Sequence, residues 1–444
     1  MFDTFRNAWK IPDLRRRILF TIMMLIVFRF GAHIPVPYLS ADAMKAFLGA
    51  GGTDLFSLFD VFTGGAFSNA TVMAMGVSPY INASIIIQLL TVAIPSLERL
   101  AKEGLEGRKK INKITRYLGI VLAFVQGAGL YVTLYNMSVT NQINAIINPS
   151  VLTFFVIVLT FTAGTAFIIW LGELITEKGL GNGVSLIIFA GIVSRIPTAG
   201  VSIYRQFLAT GITAKGIAIS AAIVIIAVAA IAFVVWFSDA ERRIPVQYAK
   251  RVVGRKMYGG QSTNIPIKIA SGGVMPIIFA SSIMAFPATI VRLVSGGNMP
   301  DTSSLGGIIL GCLSAGYGPW WTSVVYSVIY FLLIIFFTYF YSTIQFNPIE
   351  ISNNIKKNGG FIPGIRPGKA TSDFIAKVTS RLNLVGAVFL GVIAIMPVVI
   401  GGIFNMPGLQ LGGTSLLIME GVALETVKQI ESQMVMRHYH GFLN

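Results

Sequence analysis

An eleven-residue segment, GVSPYINASII at residues 76–86, returns in the second half of the chain as GVMPIIFASSI at residues 273–283. Seven of the eleven positions are identical, including the glycine and the proline. A shorter pair, GVSLII at residues 183–188 and GTSLLI at residues 413–418, matches at four of six positions. Coincidence within a small apolar alphabet is the alternative. Taken together, the two pairs favour an internal repeat.

The composition around these segments is that of a membrane protein. Of the 444 residues, 54% are hydrophobic and 12% are charged, whereas soluble domains average roughly 45–50% and about 25%. This excludes a water-soluble globule and a disordered chain, because both need more charge. The single cysteine, Cys312, excludes an internal disulfide framework.

Ten apolar segments are candidates for bilayer-crossing helices, which need roughly 17–25 residues. These spans lie at residues 18–34, 72–94, 118–134, 151–171, 184–196, 217–237, 269–290, 324–341, 384–400 and 415–430. Spans 5 and 10 are short or mixed, and spans 2 and 7 are interrupted by Gly and Pro. Three arginines precede span 1 as in a signal peptide, but no small-residue cleavage pattern follows, so we expect this helix to be retained.

The basic residues predict the orientation. Of the 34 Lys and Arg residues, 28 lie in the N-terminal segment, in the loops after spans 2, 4, 6 and 8, and near the C-terminus. The positive-inside rule therefore puts both termini in the cytoplasm. The opposite side holds Lys45, Arg195, Arg205, Lys215 and Arg292. Arg29 lies inside span 1, and we expect it to snorkel to the outer interface.

The repeat predicts how the spans are arranged. Both matches pair a span with the span five positions later, 2 with 7 and 5 with 10. Because each half then has five spans, repeat partners cross the membrane in opposite directions. The sequence therefore predicts an all-α membrane protein with ten transmembrane helices in two inverted-topology halves, residues 1–210 and 211–444. Such folds place their working site near the midplane, between the halves.

Six aliphatic residues project from the repeat segments toward that predicted interface. They are Val77, Ile81, Ile188, Ile192, Ile278 and Ile418. Positions 81 and 278 are repeat mates, as are 188 and 418, and residues four apart share a helix face. All six side chains are β-branched and stiff, so a ring of them would form a dry constriction that blocks ions. The alternative is that they are ordinary core or lipid-facing residues.

Between spans 1 and 2, residues 54–67 read DLFSLFDVFTGGAF, which is apolar but too short to cross a bilayer. We interpret the segment as a short helix that ends at the glycine pair. It would then be a movable stopper at the extracytoplasmic mouth, and an interfacial half-helix is the alternative. The residues of this stopper are Leu55, Phe56, Leu58, Phe59, Val61, Phe62, Gly64 and Gly65.

Two cytoplasmic loops, at about residues 238–268 and 346–381, are long and basic. Topology alone explains their charge, but it does not explain their length or their Pro and Gly residues. Long loops on a rigid scaffold usually bind a partner, and arginine suits RNA phosphate or acidic protein surfaces. The candidate docking residues are Arg242, Arg243, Lys250, Arg251, Arg255, Lys256 and Arg366.

The sequence contains no P-loop, no His-Glu-x-x-His and no Cys pair. We therefore predict no enzyme activity, no cofactor and no metal site. Among the few polar residues in the spans, Gln88 and Gln126 are candidates for a hydrogen bond across a helix seam. Glu420 stands out as an acidic residue two positions beyond Ile418.

Five segments resemble the bacterial SecY family, in order and over essentially the whole chain. They are FTGGA at 62–66, PYINASIIIQ at 79–88, EGLEGR at 103–108, IPVQY at 244–248 and FIPGIRPG at 361–368. That family supplies the channel subunit of the Sec protein translocase in the bacterial cytoplasmic membrane. Glu420 departs from the aliphatic residue expected so near the ring.

The resemblance implies a function for each feature above. The two halves would form a clamshell around an hourglass pore, with the six aliphatics as its ring and residues 54–67 as its plug. Spans 2, 3, 7 and 8 would form a lateral gate toward lipid, on which lie Gln88, Gln126, Ser281 and Ser282. The basic loops would dock the SecA motor or the ribosome, with Arg366 functionally critical. SecE and SecG would be the small membrane partners, and unfolded preproteins with their signal peptides the substrates.

Two other classes remain as alternatives. A secondary transporter with inverted repeats needs polar or ionic groups at the midplane, and coupled uptake of a small solute by the chain alone would establish it. An insertase without a through-pore predicts that polar substitutions in the ring leave ion leakage unchanged.

Overall fold

The computed structural model describes residues 2–49, 60–141, 145–207, 214–248, 251–253, 256–258, 262–269, 272–294, 304–313, 319–404 and 412–440. The chain is mainly helical in these ranges. The helices are α1 (Phe2–Lys10), α2 (Pro12–Gly31), α3 (Ala41–Gly49), α4 (Ser78–Ala93), α5 (Pro95–Lys102), α6 (Leu105–Asn141), α7 (Val151–Lys178), α8 (Gly183–Val193), α9 (Ile196–Phe207), α10 (Ala214–Ser238), α11 (Met275–Val294), α12 (Leu305–Leu313), α13 (Trp320–Gln345), α14 (Pro348–Lys357), α15 (Lys369–Phe404) and α16 (Gly412–His440). The strands are β1 (Glu241–Tyr248), β2 (Arg251–Val253), β3 (Lys256–Tyr258), β4 (Ser262–Lys268) and β5 (Gly360–Phe361).

Spans 2 and 7 begin as helices later than the apolar pattern predicts. The prediction started them at residues 72 and 269, but α4 begins at Ser78 and α11 begins at Met275. The backbone explains the shift, because Gly76 and Gly273 both have a φ of +57°, a left-handed conformation that interrupts a helix. A proline then occupies the first helical turn, where its missing N–H costs no hydrogen bond. The two repeat segments therefore share a local conformation, which supports the internal repeat.

Several helices are suited to crossing a membrane. Among the described residues, those long and apolar enough are Glu106–Asn136, Val151–Lys178, Trp320–Lys357 and Lys369–Met396. A fifth span results if α4 and α5, bent by 102°, are counted together. Large apolar side chains such as Ile26, Ile225 and Trp236 are exposed, which suits a surface covered by acyl chains. The chain is therefore a multi-pass membrane protein, and the full set of ten spans stays a prediction.

The chain divides into two compact units. One comprises Met1–Ser220, Ser282–Tyr326 and Ile418–Asn444, and the other comprises Ala221–Ser281 and Ser327–Leu417. The halves predicted from the repeat, with their boundary after residue 210, stay a prediction.

In the first unit, a hydrophobic core joins the chain after α2 to helices α6 and α7. Leu134 of α6 is fully buried there, as are Ile157 and Phe161 of α7. Met44 and Phe67 belong to the same cluster. Because Phe67 lies two residues beyond the glycine pair of the predicted plug, the chain that leaves this segment is anchored in the core.

In the second unit, the loops predicted to dock a partner form a small sheet with its own core. The strand order is β4-β1-β5, and β1 is antiparallel to both neighbours. Alternate residues of β1 point inward, as expected of a strand with one buried face. The core consists of Ile244, Val246, Ile267, Ile355, Ile362 and Ile375. The all-α prediction was incomplete here, because it treated both segments as irregular loops.

Candidate functional site

The six predicted ring residues are all buried, with exposed fractions from 2% for Ile418 to 9% for Ile81. They come from four elements: Val77 and Ile81 at the start of α4, Ile188 and Ile192 on α8, Ile278 on α11 and Ile418 on α16. Burial is expected of a closed ring and equally of ordinary core, so it does not decide between the two. Five belong to the first unit and Ile278 belongs to the second, and their convergence on one ring stays a prediction.

An asparagine caps the start of α8, the helix that carries Ile188 and Ile192. Asn182 Oδ1 accepts hydrogen bonds from the N–H of Val184 at 3.1 Å and of Ser185 at 3.3 Å. We expect Asn182→Ala to lower the free energy of unfolding by about 1 kcal/mol, measured by thermal unfolding of the purified protein. Asn182→Asp keeps the acceptor and is expected to retain most of the stability. An equal loss in both variants would contradict the capping role.

The predicted plug is described from residue 60 onward. The residues Leu55, Phe56, Leu58 and Phe59 lie outside the described part of the chain. Residues 60–62 are helical, and the chain then turns at Gly64, with a φ of +66°, and Gly65, with a φ of +89°. The prediction that this helix ends at the glycine pair is confirmed. Val61 and Phe62 are half-buried.

Two arginines bind this segment. Arg29 of α2 donates from Nη1 to the Gly64 carbonyl oxygen at 2.8 Å, so this side chain has a protein partner where we expected snorkelling. Arg195, just beyond the end of α8, forms an ion pair with Asp60. The backbone N–H of Ser68 donates to the other carboxylate oxygen of Asp60 at 2.8 Å. The carboxylate is therefore compensated by one charge and one further donor.

The backbone of the segment lies directly on α8. A Cβ built on Gly191 would be 2.1 Å from the Phe62 carbonyl oxygen, and one built on Gly64 would be 2.9 Å from the Gly191 carbonyl oxygen. Only glycine allows two backbones to approach so closely. Gly191 stands between Ile188 and Ile192 in the sequence, so the end of the predicted plug helix touches the helix that carries two predicted ring residues.

The predicted gate residues make local contacts. Gln88 Nε2 donates to Ser84 Oγ of its own helix at 3.4 Å. The Oε1 atoms of Gln88 and Gln126 are both buried and accept no hydrogen bond from the described residues, so the expected bond across the helix seam is not formed through them. Ser281 Oγ donates to a carbonyl oxygen of its own helix, and Ser282 is half-buried.

Helix α6 is held between its two neighbours in the first unit. A Cβ built on Gly119 of α6 would lie 3.4 Å from the Tyr80 Cα, so α4 packs closely on α6. Arg116 Nη1 donates to Glu173 Oε2 of α7 at 2.8 Å. Both charged side chains are partly exposed, which makes this ion pair a modest contribution to stability.

Three of the docking candidates, Arg242, Arg243 and Arg366, have exposed side chains. Arg242 and Arg243 lie on β1, where Arg243 Nε donates to Glu241 Oε1 at 2.8 Å. Arg366 is exposed in a turn with a positive-φ glycine two residues away on each side, and its carbonyl oxygen accepts from Thr371 Oγ1 at 2.9 Å. Lys250 and Arg255 lie outside the described residues, and Arg251 and Lys256 lie in β2 and β3. Across the described ranges, no three His, Cys, Asp or Glu residues are grouped to hold a metal ion.

The fold is shared with solved structures of protein-conducting channels. The chain matches a solved structure described as "The structure of a protein conducting channel" with a TM-score of 0.69 and 19% identity, over 95% of this chain and 93% of that one. A second match is described as "The plug domain of the SecY protein stablizes the closed state of the translocation channel and maintains a membrane seal". Its TM-score is 0.67 at 20% identity, over 95% of this chain and 92% of that one.

Sequence comparison gives the family. The SecY family model matches residues 71–427. The protein translocase subunit SecY of Mycobacterium tuberculosis (strain ATCC 25618 / H37Rv) is 45% identical over 453 residues, which span 100% of both chains. The chain belongs to the SecY family, as the sequence motifs predicted. It is therefore a channel subunit of the protein translocase family and not an enzyme.

Proposed function

We propose that this chain forms the pore through which the Sec translocase passes unfolded secretory polypeptides across the bacterial inner membrane. Ten spans in two inverted halves surround the pore as a clamshell, and both termini are cytoplasmic. The pore ring consists of Val77, Ile81, Ile188, Ile192, Ile278 and Ile418. Stiff aliphatic side chains seal around a moving chain by shape and dryness, and they offer no hydrogen bond that would select one sequence.

The observation that carries this proposal is the contact of residues 62–64 with α8. The predicted stopper ends on the backbone of Gly191, between two predicted ring positions. A segment held there is positioned to close a pore lined by Ile188 and Ile192. The burial of all six ring residues agrees with a closed pore.

The proposed channel also has a lateral gate. Spans 2, 3, 7 and 8 open toward lipid and release signal peptides and membrane helices, with Gln88, Gln126, Ser281 and Ser282 along the seam.

Partners supply the driving force, because the sequence contains no P-loop. SecA or the ribosome docks on the sheet of the second unit and on the Arg366 turn, and SecE and SecG complete the membrane complex. Exposed arginines that project from a small folded sheet are suited to binding acidic protein surfaces and RNA phosphates.

Site-specific crosslinking of a stalled, translocating polypeptide tests this function. We expect photoreactive residues at Ile81, Ile188, Ile278 and Ile418 to react with the stalled chain. Ile26 and Ile225 are matched controls, because these isoleucines are 63% and 66% exposed, and reagents placed there should react with lipid. Equal labelling from ring and control positions would rule out the proposed pore.

A further inference from the structure

In the described part of the predicted plug, residues 60–67, an ion pair is formed by Asp60. The Asp60 side chain is 5% exposed, and it pairs with Arg195, whose side chain is 36% exposed. A buried carboxylate is strongly destabilising unless it is paired and hydrogen-bonded. Here both carboxylate oxygens have a donor, because the N–H of Ser68 binds the second one.

A second contact fixes the same turn from another helix. Arg29 Nη1 donates to the Gly64 carbonyl oxygen at 2.8 Å. Gly64 has a φ of +66°, and its N–H donates to the carbonyl of Val61 at 3.1 Å. The five residues from Asp60 to Gly64 are therefore bonded at one end to the chain after α8 and at the other end to α2.

The predicted topology does not account for these charges. Arg195 and Arg29 are two of the few basic residues outside the predicted cytoplasmic segments, where the positive-inside rule places no demand for them. Asp60 is the acidic residue that interrupts the apolar run of the predicted plug. The structure brings all three together around one turn.

We propose that Asp60, Arg195 and Arg29 form a clasp that holds the end of the plug against α8 in the closed channel. This inference rests on the proposed function, because it requires that residues 54–67 close a pore. These three are positioning residues, because they act on the plug and not on the translocating chain.

The exposure of the partners makes the clasp reversible. Arg195 is partly exposed, so water replaces its partner when the segment leaves. When a polypeptide displaces the plug into a water-filled pore, Asp60 moves into water as well. Water then hydrates both charged groups in place of the ion pair. At a protein surface, this replacement of an ion pair by hydration costs little free energy. In a core sealed by lipid, separating the same pair would leave two charges without water, which is strongly unfavourable.

Resting ion conductance of vesicles that contain the complete purified translocase tests the clasp. We expect Asp60→Asn to raise the leak without substrate by about tenfold, and Arg195→Gln to raise it less, since that side chain is partly exposed. Arg195→Lys keeps the charge and is expected to stay near the unmodified level. The double variant D60N/R195Q is expected to leak no more than D60N, because the two changes break one contact.

Asp42→Asn, an equivalent change at an exposed position of α3, is the matched control and is expected to leave the leak unchanged. Complexes are compared at equal amounts of folded protein, and if Asp60→Asn fails to assemble, the Arg195 variants carry the test. Two results would overturn the clasp and leave the channel proposal intact. One is that the leaks caused by Asp60→Asn and Arg195→Gln add up in the double variant. The other is that Arg195→Gln leaks no more than the wild type while Ile188→Asn leaks. No leak in Ile188→Asn either would overturn the channel proposal itself.

Discussion

Replacing Ile188 with asparagine is expected to raise the resting ion leak of the reconstituted translocase by about tenfold or more, with little loss of thermal stability. An aliphatic constriction excludes ions because water does not wet it, and an amide at that position holds water in the narrowest part of the pore. If Ile188 lines a pore, the amide reaches solvent when the channel hydrates. The measurements are vesicle conductance and thermal unfolding of the same preparation.

The matched control is Ile157→Asn. Ile157 is fully buried in the core between α6 and α7, so this change is expected to lower the free energy of unfolding by about 3 kcal/mol or more, without a leak from the protein that remains folded. The two buried isoleucines are thus distinguished by their effects: the change at Ile188 raises the ion leak, and the change at Ile157 lowers the stability. If Ile188→Asn behaved like Ile157→Asn, the residue would be ordinary core, and an insertase without a through-pore would gain support.

The helices with strong local signals were the predictable part of the fold. Spans 4, 8 and 9 lie within α7, α13 and α15, because a long apolar run has few alternatives to a membrane helix. The breaks before α4 and α11 were also visible, since Gly76, Pro79, Gly273 and Pro276 are local markers. What the hydropathy pattern did not give was the first helical residue, because residues 72–77 are apolar but not helical.

The small sheet could not be predicted as easily. Ile244 and Val246 alternate with polar residues, as in a strand, but Pro245 between them argues against one. The pairing that settles the matter is non-local, since Ile244 lies opposite Ile265 and Gln247 lies opposite Phe361. Nothing in a single sequence ties these positions together.

In the candidate site too, some features could be predicted from the sequence and others could not. The six predicted ring positions follow from repeat mates and helical spacing, which a single sequence shows. The structure buries all six, and their convergence on one ring stays a prediction. The contact between Asp60 and Arg195 joins residues that are 135 positions apart, and it depends on how residues 62–64 of the predicted plug lie on α8. The only sequence signal was the presence of lone charges where apolar residues were expected.

Gly191→Ala is expected to displace the end of the plug and open a leak of about tenfold. Inside a helix, a change from glycine to alanine normally stabilises by up to about 1 kcal/mol. Here the new methyl group would lie 2.1 Å from the carbonyl oxygen of Phe62 and 3.0 Å from its carbon. Both are backbone atoms and cannot rotate away, so residues 62–64 must shift, and we expect a net loss of about 1–3 kcal/mol.

Gly200→Ala is the control for that change, because Gly200 lies in α9 and a Cβ built there has no neighbour within 4 Å. It is expected to keep the resting conductance and to unfold at the same or a slightly higher temperature. The comparison separates the effect of the close contact between Gly191 and Phe62 from the general effect of replacing a helical glycine. If Gly191→Ala also gained stability and stayed closed, residues 62–64 would not rest on α8 in the membrane, and the closing contact would have to be sought elsewhere on the plug.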